Sequence, residues 1–307
     1  MIKKECFTAE WIEQVSSELH YNDKNLIEKV IRALSLLEML VKAGCPLVFK
    51  GGTALMLILG KSAHRLSIDI DLICPPGTNI EDYLKSFADF GFINLELVER
   101  KQRDDADIPK SHSKFFYQIA YRNDTDAQSY ILLDVLYEDI HYFRTQQIAI
   151  NCPFIRLEGK PLMVTVPSAE DILGDKLTAF APNTTGIPYY RNGRSCSMEI
   201  AKQLYDVGRL FENVSDLQIT KEAFRKIAVV ELSYRSFGTD IGQVFNDIRQ
   251  TALCISTRGK AGEGDFDLIQ DGIIRVKSFM YKQRYLIDHA IIDAARAAYL
   301  ATLIEKG

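Results

Sequence analysis

The chain has 307 residues, of which 47% are hydrophobic and 25% are charged, a composition typical of a globular protein with one or two domains. Its formal net charge of −4 argues against a protein that coats DNA, although a local basic groove could still bind nucleic acid. The sequence has no run of about 18 uncharged apolar residues, and its N-terminus is too charged for a signal peptide, so we expect a cytoplasmic protein. The six cysteines lack CxxC spacing, which favours reduced core residues over a zinc site.

The first half of the chain alternates between helical and strand-like patterns. Apolar residues at helical spacing predict an amphipathic helix over residues 25–42, ended by Gly44. The following segments are, in chain order, a strand over 46–50, a helix over 53–59, a strand over 67–74, a helix over 79–92, and strands over 92–99, 114–122, 130–138, 146–150 and 162–166.

Beyond Pro167 the pattern becomes almost wholly helical. Ser168, with acidic residues in the next turn, is typical of a helix N-cap. We therefore predict an α+β protein with two domains. The first is an α/β domain with N-terminal helices over residues 1–166, and the second is a mainly helical domain over residues 167–307.

Two aspartates alternate with apolar residues in the predicted strand over 67–74. Because side chains two apart in a strand point to the same side, Asp69 and Asp71 should project together, about 6.5–7 Å apart at Cα. One interpretation is a pair of solvent-exposed charges on an edge strand. The other is a Mg²⁺ site, because carboxylate oxygens are ligands that this ion prefers.

A third acid, Asp134, is the only charge in the apolar run 130–137. A charge in a buried strand is costly unless it is paired or bound to a metal. If Asp134 joined Asp69 and Asp71, the three carboxylates would suit two Mg²⁺ ions in a phosphoryl-transfer site.

Gly51, Gly52 and Thr53 lie between the predicted strand over 46–50 and the next helix. Glycines at a helix start leave backbone N–H groups open to a phosphate chain. A tight structural turn is the simpler alternative. The pair of glycines followed by two alternating aspartates on the next strand is much more specific than either feature alone.

The motif over residues 50–72 resembles that of the AbiEii/AbiGii-type toxin nucleotidyltransferases of type IV toxin–antitoxin systems, including the MenT-like toxins. The shared pattern is a GG[ST] turn, a helix and R-x-S-x-D-I-D-L. The residues that match it are Lys50, Gly51, Gly52, Thr53, Arg65, Ser67, Asp69 and Asp71. The resemblance extends over about residues 45–211. It implies a DNA polymerase β-like minimal nucleotidyltransferase fold with a mixed sheet, and transfer of a nucleotidyl group from an NTP with Mg²⁺.

Lys176 lies in the middle of an apolar helix face. It could be a lysine whose stem covers the core while its ammonium stays in water. It also matches the family pattern E-D-x-x-x-x-K-x-x-A, in which such a lysine binds the triphosphate as a point charge.

The last family motif resembles K-D-x-x-D-L, and Lys202 and Asp206 match it here. The simpler interpretation is a surface ion pair one helical turn apart. Gln203 replaces the usual first aspartate, which leaves the role of that acid open. An arginine is common just before this motif, and both Arg191 and Arg194 lie there.

The segment over residues 275–286 mixes basic and aromatic residues. Such a surface could stack on RNA bases and screen phosphates. An amphipathic helix with a charged outer face is the alternative.

Together, the residues and the resemblance predict a Mg²⁺-dependent nucleotidyltransferase. Catalysis would fall to Asp69, Asp71, Asp134 and Lys176, with two Mg²⁺ ions on the aspartates. Nucleotide contacts would come from Gly51, Gly52, Thr53, Arg65, Ser67, Lys176, Lys202 and Asp206. The resemblance implies a toxin or phage-defence component that modifies RNA, for example the tRNA 3′ end, and that has a cognate antitoxin. There are two alternatives. One is a nucleotidyltransferase whose acceptor is a small molecule or a protein side chain. The other is a degenerate nucleotide-binding module.

Overall fold

The computed structural model describes residues 1–98, 110–121, 127–234 and 240–307, which form two compact units. The first unit contains the described residues up to Ile140 together with Thr145–Pro167. The second contains His141–Arg144 and Ser168–Gly307. The short segment His141–Arg144 therefore belongs to the second unit, although the chain on both sides of it belongs to the first.

The first unit combines helices with a mixed sheet. Its elements are α1 (Ala9–Glu18), α2 (Lys24–Lys42), β1 (Val48–Lys50), α3 (Gly51–Leu59), β2 (Ile70–Cys74), β3 (Asn94–Val98), β4 (Lys110–Gln118), β5 (Gln128–Tyr137), β6 (Thr145–Ala149) and β7 (Met163–Pro167). Five strands form one sheet in the order β1-β2-β5-β4-β3. Strands β2 and β5 run parallel, and the other neighbouring strands are antiparallel. Strands β6 and β7 pair separately.

Helix α2 forms much of the core of this unit. Its apolar residues are buried as the pattern predicts, and three of its charged residues, Glu28, Arg32 and Glu38, are buried as well. Arg32 bonds Glu28 at 3.3 Å, and its guanidinium lies 4.8 Å from the centroids of the Phe7 and Tyr117 rings. Burial raises the pKa of Glu28, while Arg32 and the N–H of Ala120 lower it. The predicted helix is confirmed; the buried Glu28 and Arg32 are paired with each other, and Glu38 accepts the N–H of Ile2.

Two predictions for the region after β1 are wrong in detail. The segment 79–92 forms two short 3₁₀ turns, Ile80–Tyr83 and Phe87–Phe90, and not one α-helix. Its aspartates, serine and aromatic residues have low helix propensity, and short turns are sufficient to bury Ile80 and Leu84. Strand β2 begins at Ile70, so Asp69 precedes the strand.

The predicted strands β3 to β7 are present. The last residues of the predictions over 92–99 and 114–122, Glu99 and Arg122, lie outside the described residues. The same applies to residues 235–239 of the predicted helical region.

The second unit is mainly helical. Its elements are α4 (Ala169–Ala179), the two-residue strands β8 (Tyr190–Arg191) and β9 (Arg194–Ser195), α5 (Ser197–Phe211), α6 (Leu217–Ser233), α7 (Ile241–Ser256), α8 (Phe266–Val276) and α9 (Ile287–Lys306). Ser168 caps α4 as predicted, because its side chain accepts the N–H of Asp171 at 3.1 Å.

Asp171 has a structural role that the sequence did not reveal. Its fully buried carboxylate accepts the N–H groups of Phe143 at 2.7 Å and Arg144 at 3.0 Å. These bonds attach His141–Arg144 to the start of α4.

In the part of the chain that the structure describes, no helix is both long and apolar enough to cross a membrane.

Candidate active site

Four polar residues form a row across the sheet of the first unit. Lys50 on β1 is the register partner of Asp71 on β2, and Asp71 is the partner of Asp134 on β5. Asp134 is in turn the partner of His112 on β4. Because direct register partners project from the same face of a sheet, these residues form one cross-strand row. Two carboxylates are adjacent at its centre, and a basic side chain flanks each of them.

Asp69 lies at the edge of this row, just before β2. Ile70 and Leu72 are buried, and Asp69 and Asp71 are partly exposed, so the aspartates are on the opposite side from the core. The backbone oxygen of Asp69 accepts the hydroxyl of Thr53 at 2.7 Å. This bond attaches the first turn of α3 to the acidic segment.

The two motif glycines allow the α3 start to approach the acidic segment closely. Gly51 has a φ of +79°, and a Cβ there would overlap the carboxylate of Asp71. A Cβ on Gly52 would lie 2.6 Å from the Ser67 hydroxyl and 3.1 Å from Nη2 of Arg65. The structure therefore brings the glycine turn close to Asp71, Ser67 and Arg65, and Gly51, with its positive φ, has no room for a side chain.

Asp134 differs from the sequence expectation. Its side chain is 40% exposed, and its Oδ1 is hydrogen-bonded to Nδ1 of His112. The expectation that Asp134 is a buried charge in need of a metal is therefore wrong, because water and His112 both stabilise it. Asp134 is nevertheless directly beside Asp71, as a shared cation site requires.

In the second unit, Lys176 is buried between two residues of α5. Its Nζ lies 3.1 Å from Oδ2 of Asp206 and donates to Oε1 of Gln203 at 3.0 Å. The interpretation that its ammonium stays in water is wrong, because the group is buried and paired. The expected surface ion pair of Lys202 with Asp206 is wrong too, since Asp206 is only 2% exposed.

The remaining motif residues on α5 and before it have separate environments. Gln203 stands where the family pattern has its first acid, and it keeps an oxygen acceptor for Lys176 without the charge. The ammonium of Lys202 lies 3.7 Å from the centroid of the Phe279 ring, a cation–π contact. Arg191 and Arg194 face each other across the β8–β9 hairpin, and both are exposed.

The basic and aromatic segment over 275–286 is not one helix, because α8 ends at Val276 and α9 begins at Ile287. Tyr281 and Tyr285 are buried, so their rings are not available to stack on RNA bases. The basic residues of the segment are exposed, namely Arg275, Lys277, Lys282 and Arg284. The stacking interpretation is therefore wrong for these two tyrosines, although the charged outer face is present.

A family model described as "Nucleotidyl transferase AbiEii toxin, Type IV TA system" matches residues 33–283. The matched range includes the glycine turn, the whole cross-strand row and the Lys176–Asp206 pair. The chain belongs to the AbiEii family. It is therefore a nucleotidyltransferase of the toxin type, for which an NTP substrate and an antitoxin partner are implied.

One solved structure, that of MenT4, agrees with this AbiEii assignment at the level of the fold. MenT4, a nucleotidyltransferase toxin from Mycobacterium tuberculosis, aligns over 96% of this chain and 90% of its own, with 13% identity and a TM-score of 0.50. This similarity confirms the predicted fold class. JHP933 from Helicobacter pylori aligns over 100% of this chain and 94% of its own, with 15% identity and a TM-score of 0.44. No curated protein sequence matches the chain.

The candidate site offers carboxylate oxygens, the donors that Mg²⁺ prefers, but not a complete protein cage. Within the described ranges, no three His, Cys, Asp or Glu side chains are grouped as a metal site. Mg²⁺ is usually held by one or two carboxylates together with substrate phosphates and water. Asp71 and Asp134, adjacent in register, fit that mode of binding. Asp69, directly before β2, is the third candidate ligand for Mg²⁺.

His112 is the site residue that sequence reasoning missed. It is 22 residues from Asp134, in a different strand, and no motif joins the two. Only the register between β4 and β5 places them opposite each other. A correct pairing of these strands was the one signal that could have revealed it, since cross-strand partners interact directly.

Proposed function

We propose that this AbiEii protein transfers a nucleotidyl group from an NTP to a hydroxyl of RNA in a Mg²⁺-dependent reaction. The main support is the placement of Asp71 beside Asp134, with Gly51 packed against the carboxylate of Asp71. Two adjacent carboxylates next to a glycine turn at a helix N-terminus combine a cation site with a phosphate site.

Each residue near the turn has a defined part in this proposal. Asp71 and Asp134, with Asp69, would hold the Mg²⁺ ions. When bound, Mg²⁺ supplies positive charge that offsets the triphosphate and stabilises the charge that develops during transfer. The first N–H groups of α3 would donate to phosphate oxygens, because they have no partners within the helix. Thr53 keeps this turn fixed through its bond to the backbone of Asp69.

The reaction forms a bond between the acceptor oxygen and the α-phosphorus of the NTP. The bond from that phosphorus to the bridging oxygen breaks, and pyrophosphate leaves. The proton of the acceptor hydroxyl passes to a carboxylate, for which we propose Asp134 because it is partly exposed. The ammonium of Lys176 is held by Gln203 and Asp206. From its match to the family pattern, we propose that Lys176 is also a nucleotide contact.

We further propose that the protein acts in the cytoplasm as a toxin or phage-defence component that a separately encoded antitoxin restrains. Membership of the AbiEii family supports this role. We propose RNA as the acceptor class, with the 3′ end of tRNA as the first acceptor to test.

The experiment is incubation of the protein with each of the four labelled NTPs and total RNA, with Mg²⁺ or with a chelator, followed by gel analysis. With Mg²⁺, we expect the wild type to label an RNA band. This label should be absent when the chelator is added, and also when the Asp71→Asn variant replaces the wild type. Asp139→Asn is the matched control, because it removes an exposed carboxylate just beyond β5. Label on protein or on a small molecule alone would overturn the RNA acceptor. No transfer to any acceptor would overturn the proposed reaction.

A further inference from the structure

We propose that His112 is a positioning residue that orients the carboxylate of Asp134 for cation binding. This inference rests on the proposed function, because it assigns His112 a role in the same site. The observation that carries it is the hydrogen bond between Nδ1 of His112 and Oδ1 of Asp134, made between direct register partners on β4 and β5.

The ring of His112 is largely buried. Its side chain is only 12% exposed, whereas that of Asp134 is 40% exposed. The histidine is therefore a supporting group behind the carboxylate, and the carboxylate is the group that solvent and ligands can reach. A rigid partner of this kind limits the rotation of a carboxylate, which otherwise turns freely about its last bond.

The second ring nitrogen determines which tautomer the site favours. Nε2 of His112 is buried and, in the part of the chain that the structure describes, has no hydrogen-bond partner. A proton on Nε2 would be a buried donor without an acceptor, which is costly. The favoured tautomer therefore has its proton on Nδ1, where it donates to Asp134.

This donation has two consequences for the cross-strand row. The bond uses Oδ1 of Asp134, so Oδ2 remains for a cation or for the proton of an acceptor hydroxyl. The N–H dipole also reduces the repulsion between the carboxylates of Asp71 and Asp134, which are adjacent in register. Loss of a hydrogen bond to a metal-binding carboxylate typically weakens metal affinity or activity by about 10–100-fold.

The test compares three substitutions in the full-length protein. His112→Leu removes the donor at similar volume, and His112→Asn retains an amide N–H near the place of Nδ1. Ser111→Ala is the matched control, because it removes the 2.8 Å bond between Ser111 and Tyr137 on the same two strands without a contact to Asp134. Mn²⁺ binding is followed by electron paramagnetic resonance with a non-hydrolysable NTP analogue, and transfer is measured against Mg²⁺ concentration.

We expect His112→Leu to weaken Mn²⁺ binding by about 10–100-fold and to raise the Mg²⁺ concentration for half-maximal transfer by a similar factor. His112→Asn should keep most of the wild-type Mn²⁺ affinity. Ser111→Ala should match the wild type in both Mn²⁺ affinity and Mg²⁺ dependence. Thermal melting shows whether His112→Leu folds. If it does not, His112→Gln replaces it in the test. The amide of Gln lies near the place of Nε2, so it does not reproduce the donor to Asp134.

Two results would overturn the proposal in different ways. Wild-type Mn²⁺ affinity in His112→Leu, or in His112→Gln, would exclude a positioning role and leave the proposed function intact. Absence of NTP-dependent Mn²⁺ binding by the wild type would overturn the proposed function, and the role of His112 with it.

Discussion

Lys176 and Asp206 form a buried ion pair in which Nζ lies 3.1 Å from Oδ2 and the two side chains are 9% and 2% exposed. Gln203 accepts a second hydrogen bond from the same ammonium. A buried charge is tolerated only while its partner is present, so each member of this pair stabilises the other. Substitution of Lys176 alone therefore changes stability as well as any contact with a nucleotide.

The first prediction concerns this pair. Lys176→Met should lower the free energy of unfolding by about 3–5 kcal/mol, because Asp206 remains buried and unpaired. The sequence pattern indicates a lysine that covers the core or binds the triphosphate, and the ion pair adds a structural role. The double variant Lys176→Met/Asp206→Leu should regain most of the stability, because no unpaired charge is left. Urea denaturation of both variants measures this difference.

NTP titration of the double variant then isolates the nucleotide contact of Lys176. We expect NTP affinity to remain low although the protein is stable again. NTP binding at wild-type strength in the double variant would mean that Lys176 serves the fold and not the triphosphate. Gln203→Leu is a useful companion, since it removes one bond to the ammonium and leaves the ion pair.

Local pattern was sufficient to predict most of the fold. The apolar spacing of α2, the N-cap at Ser168 and the strands from β1 to β7 all follow from interactions between near neighbours in sequence. The exception over residues 79–92 shows the limit of this approach. Several residues with low helix propensity lie there, and tertiary burial of Ile80 and Leu84 selects short turns instead.

The candidate site could be predicted only as far as its motif extends. Gly51, Gly52, Thr53, Arg65, Ser67, Asp69 and Asp71 lie within 21 consecutive residues, and the structure brings them together. The partnership of Asp134 with His112 depends on strand register, which a single sequence does not encode in any local spacing. The burial of Lys176 against Asp206 likewise depends on the packing of α4 on α5.

A second prediction separates the backbone role of Gly51 from its contact with Asp71. Gly51→Ala and Gly44→Ala both place a Cβ at a left-handed residue, with φ of +79° and +76°. Each should lower the free energy of unfolding by about 1–2 kcal/mol. Only Gly51→Ala also displaces the carboxylate of Asp71, because a Cβ at Gly44 has no heavy atom within 4 Å.

Transfer should therefore be lost in Gly51→Ala and retained in Gly44→Ala, with similar losses in melting temperature. Thermal melting and the labelled-NTP assay on both variants test this expectation. Equal activities in the two proteins would show that the position of the Asp71 carboxylate does not matter for the reaction.

A third prediction concerns the aspartates of the β2 segment. Asp69→Asn and Asp71→Asn should each abolish transfer, because charge needed for Mg²⁺ is removed while the side-chain shape is kept. Stability should change by less than about 1 kcal/mol, since both groups are partly exposed. The bond from Thr53 to Asp69 survives, because its acceptor is the backbone oxygen. A large fall in melting temperature in either variant would identify that aspartate as structural.

The last prediction concerns Asp134. This residue lies in register between Asp71 and His112, and its carboxylate is hydrogen-bonded to the imidazole of His112. Asp134→Asn keeps an oxygen acceptor for Nδ1 of His112 and removes the repulsion with Asp71. Without Mg²⁺, the variant should therefore be as stable as the wild type or more stable. With Mg²⁺ and an NTP at about 100 times their dissociation constant, the wild type should gain about 2.7 kcal/mol by mass action, and the variant much less.

Thermal shifts on Asp134→Asn, the wild type and the control Asp139→Asn decide this point. Asp139 is an exposed acid just beyond β5, so its removal changes the net charge equally without a change in the cross-strand row. The control should shift like the wild type when Mg²⁺ and NTP are added together. If Asp134→Asn shifted by the same amount as these two proteins, Asp134 would not be a cation ligand. The site would then consist of Asp69 and Asp71 alone, with His112 serving only to pair β4 with β5.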